Sequence, residues 1–425
     1  LSGSQPRRQE AARTVLVIRY RAAWVLPVAA PPVRNGWVDA DAGRIVAVGG
    51  ADAPAPAHPV HDLGSVALMP GLVNAHTHLE LSHLRHQIPA SDRFVAWVRG
   101  VMASRRARPN PSADEILDGI RMGIDEALRC GTVLVGDISN TLVPYEPLAD
   151  SALAATLFYE LIRFNAPDPN GLVSDACVKL DALAADGHVR TTLAAHAPYS
   201  VAPSVFTAIR AAMDRWPDRP CSVHLAESRE ESEFIAEGTG EWRTFLEQVG
   251  SWDPAWTPPR LSPVAALDSL SFLTPRTLAV HGVQMSADDL ACLAARGTTL
   301  VTCPRSNAYT GAGQPPIAAF YASGVRVAVG TDSLASTPDL NVFAELAAMR
   351  ALAPGVPAAA LIESATVQGA RALGFAADFG TLEPGRRARM LAVSLPADAS
   401  DVEEYLVSGI EPSQVCWITD SDAPR

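Results

Sequence analysis

Through the middle of the chain, short apolar runs rich in β-branched residues alternate with amphipathic stretches of helical length. Eight runs read as strands: the run ending at His76-Thr77-His78, then 132–137, 155–162, 190–196, 221–224, 277–281, 299–304 and 326–332. Helical spacing is clearest at 92–106 and 112–129, where Ser112 and Glu115 have the spacing of a capping box. Strands alternating with helices imply a parallel sheet. Metal-capable side chains close several of the runs, among them His76 and His78, His224, His281 and Asp332. Polar residues gathered at the carboxyl ends of parallel strands make a (β/α)8 barrel the expected architecture.

The two ends of the chain have a different texture. Residues 14–18, 36–40 and 44–50 read as short strands between Gly and Pro turns, which suggests part of a β-sandwich. Comparable strands lie at 388–393 and 415–418. A Pro- and Trp-rich segment at 250–263 reads as a loop inserted before the sixth strand, where it could cover a barrel mouth.

Composition narrows the function classes. At 425 residues the chain can form one large barrel plus a smaller domain. A net charge of −12 argues against nucleic acid or an anionic membrane as obligate partner. No apolar run approaches the roughly 20 residues that span a bilayer. The polar start, residues 1–12, reads as a disordered tail without a signal-peptide core, so a cytoplasmic location is expected. Six cysteines without a Cys-x-x-Cys pair read as reduced thiols. Of 34 basic residues only Lys179 is a lysine, and the spacing around it reads as a helix.

In a strand, residues two apart project to one face, so His76 and His78 aim two imidazoles at one spot. Imidazole nitrogens and carboxylate oxygens suit zinc or ferrous iron. Glu227 lies three residues beyond His224, on the opposite face of a flat strand. It reaches the mouth only if the chain bends just after His224.

The set Pro70-Gly71-Leu72-Val73-Asn74-Ala75-His76-Thr77-His78, His224-Leu225-Ala226-Glu227, His281-Gly282 and Gly330-Thr331-Asp332-Ser333 resembles the amidohydrolase superfamily, in its branch of cytosine, guanine and adenosine-type deaminases and chlorohydrolases. The resemblance runs from about residue 13 to near the C-terminus. It implies a composite β-sandwich from 13–66 plus 377–425, beside a hydrolase barrel at 67–376. It implies one divalent metal ion, zinc with iron as the alternative, held by His76, His78, His224 and Asp332. Catalysis would rest on Glu227 as proton shuttle, on His281 and on Asp332. Binuclear relatives bridge two ions through a carbamylated lysine on strand four. No lysine lies there, so a single ion is expected.

The implied reaction is hydrolytic deamination with release of ammonia, and hydrolytic dechlorination is its nearest chemical alternative. The string His78-Leu79-Glu80-Leu81-Ser82-His83-Leu84, with Ser262-Pro263-Val264, is most similar to aminodeoxyfutalosine deaminases of the futalosine route to menaquinone. That resemblance implies a purine nucleoside substrate, with His196, Glu80 and Ser82 as contacts and Arg163 or Arg305 for a benzoate carboxylate. S-adenosylhomocysteine, methylthioadenosine or guanine deaminase is the alternative within enzymes, and a non-catalytic binding protein the alternative outside them. A homodimer is compatible with all of these.

Overall fold

The structure is a computed structural model that describes residues 17–418 apart from 53, 55, 184–186 and 398. Expectations for 1–12, 14–16 and 419–425 therefore lie outside the described residues. Eight strands form one parallel sheet: β1 Leu72–Thr77, β2 Thr132–Ser139, β3 Ala154–Leu161, β4 Val189–Ala195, β5 Cys221–Leu225, β6 Thr277–His281, β7 Thr299–Thr302 and β8 Arg326–Val329. They pair in chain order from β1 to β8, and the sheet curls into a nearly closed TIM-like barrel. Every residue of β1, β2, β3, β5, β6 and β7 is buried, as expected of strands covered on both faces.

Side chains and tight backbone contacts complete the closure between β8 and β1. Asn74 Nδ2 donates to Thr331 Oγ1 at 2.7 Å, and the Thr331 N–H donates to Asn74 Oδ1 at 3.0 Å. The Asp332 N–H reaches the His76 carbonyl at 3.0 Å. Gly330 is required at this seam, because a Cβ there would lie 2.7 Å from the His76 carbonyl oxygen. The same backbone that closes the barrel thus carries His76 and Asp332 side by side.

Helices cover the outside. The first, α1 Phe94–Arg106, and the next, α2 Asp114–Arg129, follow β1. The helix α2 starts after Ala113, and Ser112 and Glu115 form no capping box. Asn110 Oδ1 instead takes the Ser112 N–H at 3.0 Å in a local turn, and Glu115 pairs with Arg108, so the helix begins later than the sequence pattern suggests. Lys179 lies on α3 Pro169–Asp181, where its Nζ donates to the Tyr159 hydroxyl at 2.9 Å.

Two further sheets involve both ends of the chain. One has the order 44–49, 37–41, 18–21, 60–62. The other has the order 415–417, 390–394, 66–70, 24–25, 33–34. Met390–Ser394 runs antiparallel to Val66–Pro70, the strand that leads directly into β1. The inserted segment before β6 packs through Trp252 and Trp256 against Phe164 and Phe234. No described helix is long and apolar enough to cross a membrane.

Candidate active site

Four imidazoles meet inside the carboxyl end of the barrel. The ring centroids of His76 lie 4.9 Å from His78, 5.0 Å from His224 and 5.7 Å from His281. One nitrogen each of His76, His78 and His224 lies within 4.8 Å of the others, a spacing that could hold a metal ion. Asp332 adds a carboxylate oxygen 3.5 Å from His78 Nε2 and 4.0 Å from His76 Nε2.

The chemistry of this donor set fits a cation. His76 is fully buried, and neither ring nitrogen has a hydrogen-bond partner among the described residues. A buried polar atom without a partner is costly, and a coordinated ion would relieve that cost. Burial, then the neighbouring imidazoles, holds His76 well below its ordinary pKa. Burial likewise brings His78 down to about 3 and His224 to about 4. All three are therefore neutral near pH 7, the state that binds metal. His224 Nδ1 donates to the His196 carbonyl at 2.8 Å, which leaves Nε2 with its lone pair directed away from the backbone.

The bend required for Glu227 is present. Ala226 adopts φ 52°, a left-handed conformation unusual for a residue with a Cβ, and turns the chain immediately after β5. The Glu227 carboxylate, itself buried, comes to 3.5 Å from His281 Nε2. Burial first, then the Asp332 and Glu231 carboxylates, raises Glu227 well above the usual glutamate range. His281 and Asp332 are also left-handed, at φ 80° and 62°. Such residues store about 1–3 kcal/mol each and concentrate at functional sites.

Polar partners fix the remaining orientations. The Asn307 amide meets His281 Nδ1 at 2.9 Å; with that amide donating, the ring proton sits on Nε2, toward Glu227. Asp332 accepts from Ser306 Oγ at 2.5 Å and from the Ser333 N–H at 2.7 Å. His196, just past β4, holds Ser200 Oγ at 2.6 Å through Nδ1, and its ring lies 5.0 Å from that of His224.

Other residues singled out in the sequence lie elsewhere or are already engaged. Glu80 is buried and accepts from Ser139 Oγ at 2.7 Å, Thr141 Oγ1 at 2.8 Å, Arg105 Nη2 at 3.0 Å and the Asn140 N–H at 3.3 Å. Ser82 is packed on α2, where a Cβ on Gly123 would meet its Oγ at 2.6 Å. Arg305 is bonded to Asp339 at 2.9 Å and lies 3.3 Å from Glu345. Arg163 is exposed.

The structure adds residues that the sequence reading passed over. Glu160, in β3, is buried and stands 3.5 Å from His224 Nδ1. Asn140 Nδ2 donates to Glu160 at 2.8 Å, and Arg105 Nη1 donates to Asn140 Oδ1 at 2.8 Å, so a polar chain runs from Glu80 to the edge of the imidazole cluster. Glu160 and Asp137 carried the same signal as His224, a titratable residue near the end of an apolar run. Asn307, Ser306 and Asn140 carried no such signal.

Residues 67–413 match the model of the amidohydrolase family. A 5-methylthioadenosine/S-adenosylhomocysteine deaminase from Moorella thermoacetica is 29% identical over 408 residues, 92% of this chain and 90% of the relative. An aminodeoxyfutalosine deaminase from Deinococcus radiodurans is 31% identical over 334 residues, 75% of this chain and 76% of the relative. The crystal structure of an adenosine deaminase from Xanthomonas campestris with bound zinc superposes with a TM-score of 0.77 at 28% identity, covering 94% of this chain and 90% of that one. Matched over most of its length in sequence and in fold, the chain belongs to the amidohydrolase family.

Proposed function

We propose that this metal-dependent aminohydrolase removes the 6-amino group of a purine nucleoside as ammonia, and that aminodeoxyfutalosine, on the futalosine route to menaquinone, is its substrate. The observation that carries the reading is the Glu227 carboxylate standing 3.5 Å from His281 Nε2, beside three imidazoles grouped to hold an ion. The deaminase relatives support the same reaction class.

His76, His78, His224 and Asp332 would hold one divalent ion, zinc or ferrous iron. Such an ion activates water for attack near neutral pH. With β4 free of lysine and Lys179 out on α3, no carbamate is available to bridge a second ion.

The chain's own groups manage the protons. Glu227 takes a proton from the attacking water and delivers it to the ring nitrogen beside the amino-bearing carbon. Its raised pKa suits the delivery of that proton. His281, with its Nε2–H aimed by Asn307, donates to the oxygen as it bonds to that carbon. Asp332, steadied by Ser306 and Ser333, orients the water, takes up its second proton and passes it to the amino group, which leaves as ammonia. Water is added and ammonia lost, and the amino carbon becomes a carbonyl. His196, half-buried beside His224, would touch the purine. Glu80, whose carboxylate oxygens already accept from Ser139 and Thr141, shapes the mouth.

A second substrate is favoured by one observation. Arg305 is committed to Asp339 and Glu345, and Arg163 is exposed, so neither is held at the imidazole cluster for a benzoate. That arrangement suits methylthioadenosine, whose arm carries no carboxylate. Ammonia release from aminodeoxyfutalosine, methylthioadenosine, S-adenosylhomocysteine, adenosine and guanine separates the two readings. Glu227→Gln tests the mechanism. It should keep its metal and lose turnover by roughly a hundredfold or more, and full activity would remove Glu227 from the role.

A further inference from the structure

Two helices of the barrel begin with a serine followed three residues later by an acid, and the two acids behave differently. The helix α5 Ala287–Arg296 starts with a capping box. Ser286 Oγ accepts the Asp289 N–H, and Asp289 Oδ2 reaches back to the Ser286 N–H at 2.9 Å. The helix α4 Arg229–Glu237 starts in the same way at its serine, with Ser228 Oγ accepting the Glu231 N–H at 3.2 Å.

Glu231, one methylene longer than aspartate, reaches past its own cap. Its Oε1 accepts the Ala226 N–H and its Oε2 the Glu227 N–H, each at 2.9 Å. Glu231 has no exposed surface, so both bonds are shielded from water. The carboxylate therefore grips both peptide N–H groups of the left-handed turn that swings Glu227 into the mouth. The far side of the turn is tied to β6, because Gln284 N–H donates to the Ala226 carbonyl at 2.8 Å and Gly282 N–H to the Leu225 carbonyl at 3.2 Å. A strained turn persists only where its surroundings over-determine it. Charge-assisted bonds to backbone N–H groups are among the stronger ones available.

We propose that Glu231 is a positioning residue for proton transfer: by clamping the Ala226–Glu227 peptides it sets the Glu227 carboxylate against His281 and the attacking water. The inference rests on the reading of Glu227 as the proton carrier. Glu231 lies outside the proposed ligand set, with both carboxylate oxygens committed to the turn. Its loss should appear in the rate of the chemical step, with binding left intact.

The test compares metal-loaded wild-type protein with Glu231→Gln, Glu231→Ala, Glu227→Gln and the Glu227→Gln/Glu231→Ala double variant, on the nucleoside turned over fastest. The isosteric glutamine keeps the packing volume and one acceptor, so it remains informative if the alanine variant fails to fold. Both Glu231 variants should lose about tenfold to a hundredfold in kcat. KM and metal content should stay at wild-type levels. Adding Glu231→Ala to Glu227→Gln should cost nothing further, since groups acting as a unit are non-additive. Wild-type kcat in the Glu231 variants beside a crippled Glu227→Gln overturns this inference alone. So does an additive loss in the double variant, or loss of metal and fold in both single Glu231 variants. A fully active Glu227→Gln overturns the reading of Glu227 and takes this inference with it.

Discussion

Two buried groups at the barrel mouth, His76 and Glu80, treat their polar atoms in opposite ways. On the side formed by β1, β5 and β8, His76 leaves both ring nitrogens without a partner among the described residues, and three imidazoles crowd within metal-ligand distance. On the side formed by β2 and β3, the Glu80 carboxylate alone takes four donors. Arg105 and Asn140 carry that network on to Glu160. Buried polar atoms must find partners, so the unpaired side marks where something from outside is to bind. Around Glu80 the pairing is complete; beyond it, Glu160 Oε1 and Asp137 Oδ2 have no hydrogen-bond partner among the described residues. The histidine side also contains left-handed Ala226 and Asp332, and the carboxylate side has no such residue among Glu80, Asn140 and Glu160.

The sharpest way to break this contrast is to remove a ligand. His76→Ala should release the ion and bring ammonia production to background; metal analysis beside the activity assay checks it, and a variant that keeps one ion per chain and turns over normally would remove His76 from the set. A smaller effect is expected across the boundary. Glu160→Gln alters a group behind His224 without touching the other ligands, and changes of this kind cost about tenfold to a hundredfold in metal affinity or activity. Competition with a chelator of known affinity would measure it. No change would assign Glu160 to the scaffold alone.

The pH dependence of stability sharpens the comparison further. His78 and His224 are lowered to about 3 and about 4, and their unfolded value is 6.5. Between those values the unfolded chain binds protons that the folded chain excludes, so stability is full above about 6.5 and is lost as pH falls toward 4. In the presence of chelator, Tm should therefore drop from pH 7 to pH 5. The drop should be shallower in His224→Asn, and an equal drop in both would break the link to the imidazoles. The smallest expected effect is none. Lys179→Met should bind the same single ion as wild type and keep its activity, and a change in metal stoichiometry would show that the lone lysine reaches the site.

Much of this molecule was legible beforehand, for a local reason. Strand periodicity and length placed all eight barrel strands, and each of β1, β5 and β6 ends within a residue or two of its predicted histidine. The need for a bend between His224 and Glu227 was visible in their odd spacing, and Ala226 supplies it. The cap of α2 was misplaced because the side chain of Asn110 takes the Ser112 N–H before the helix starts, a contest that helix periodicity does not register.

The sequence by itself determined the element order, the spacing of the histidines and the absence of a lysine from strand four. These depend on neighbours along the chain, where backbone geometry sets which side chains share a face. Only the tertiary structure decided which polar groups are satisfied. Glu80 and Arg105 are 25 residues apart, and Glu80 and Thr141 are 61 apart, yet they share one network. Arg305 is spent on Asp339 and Glu345, and Glu231 on the turn before its own helix. Hydrogen bonds are satisfied by whatever folding brings within reach, and sequence separation does not encode that reach.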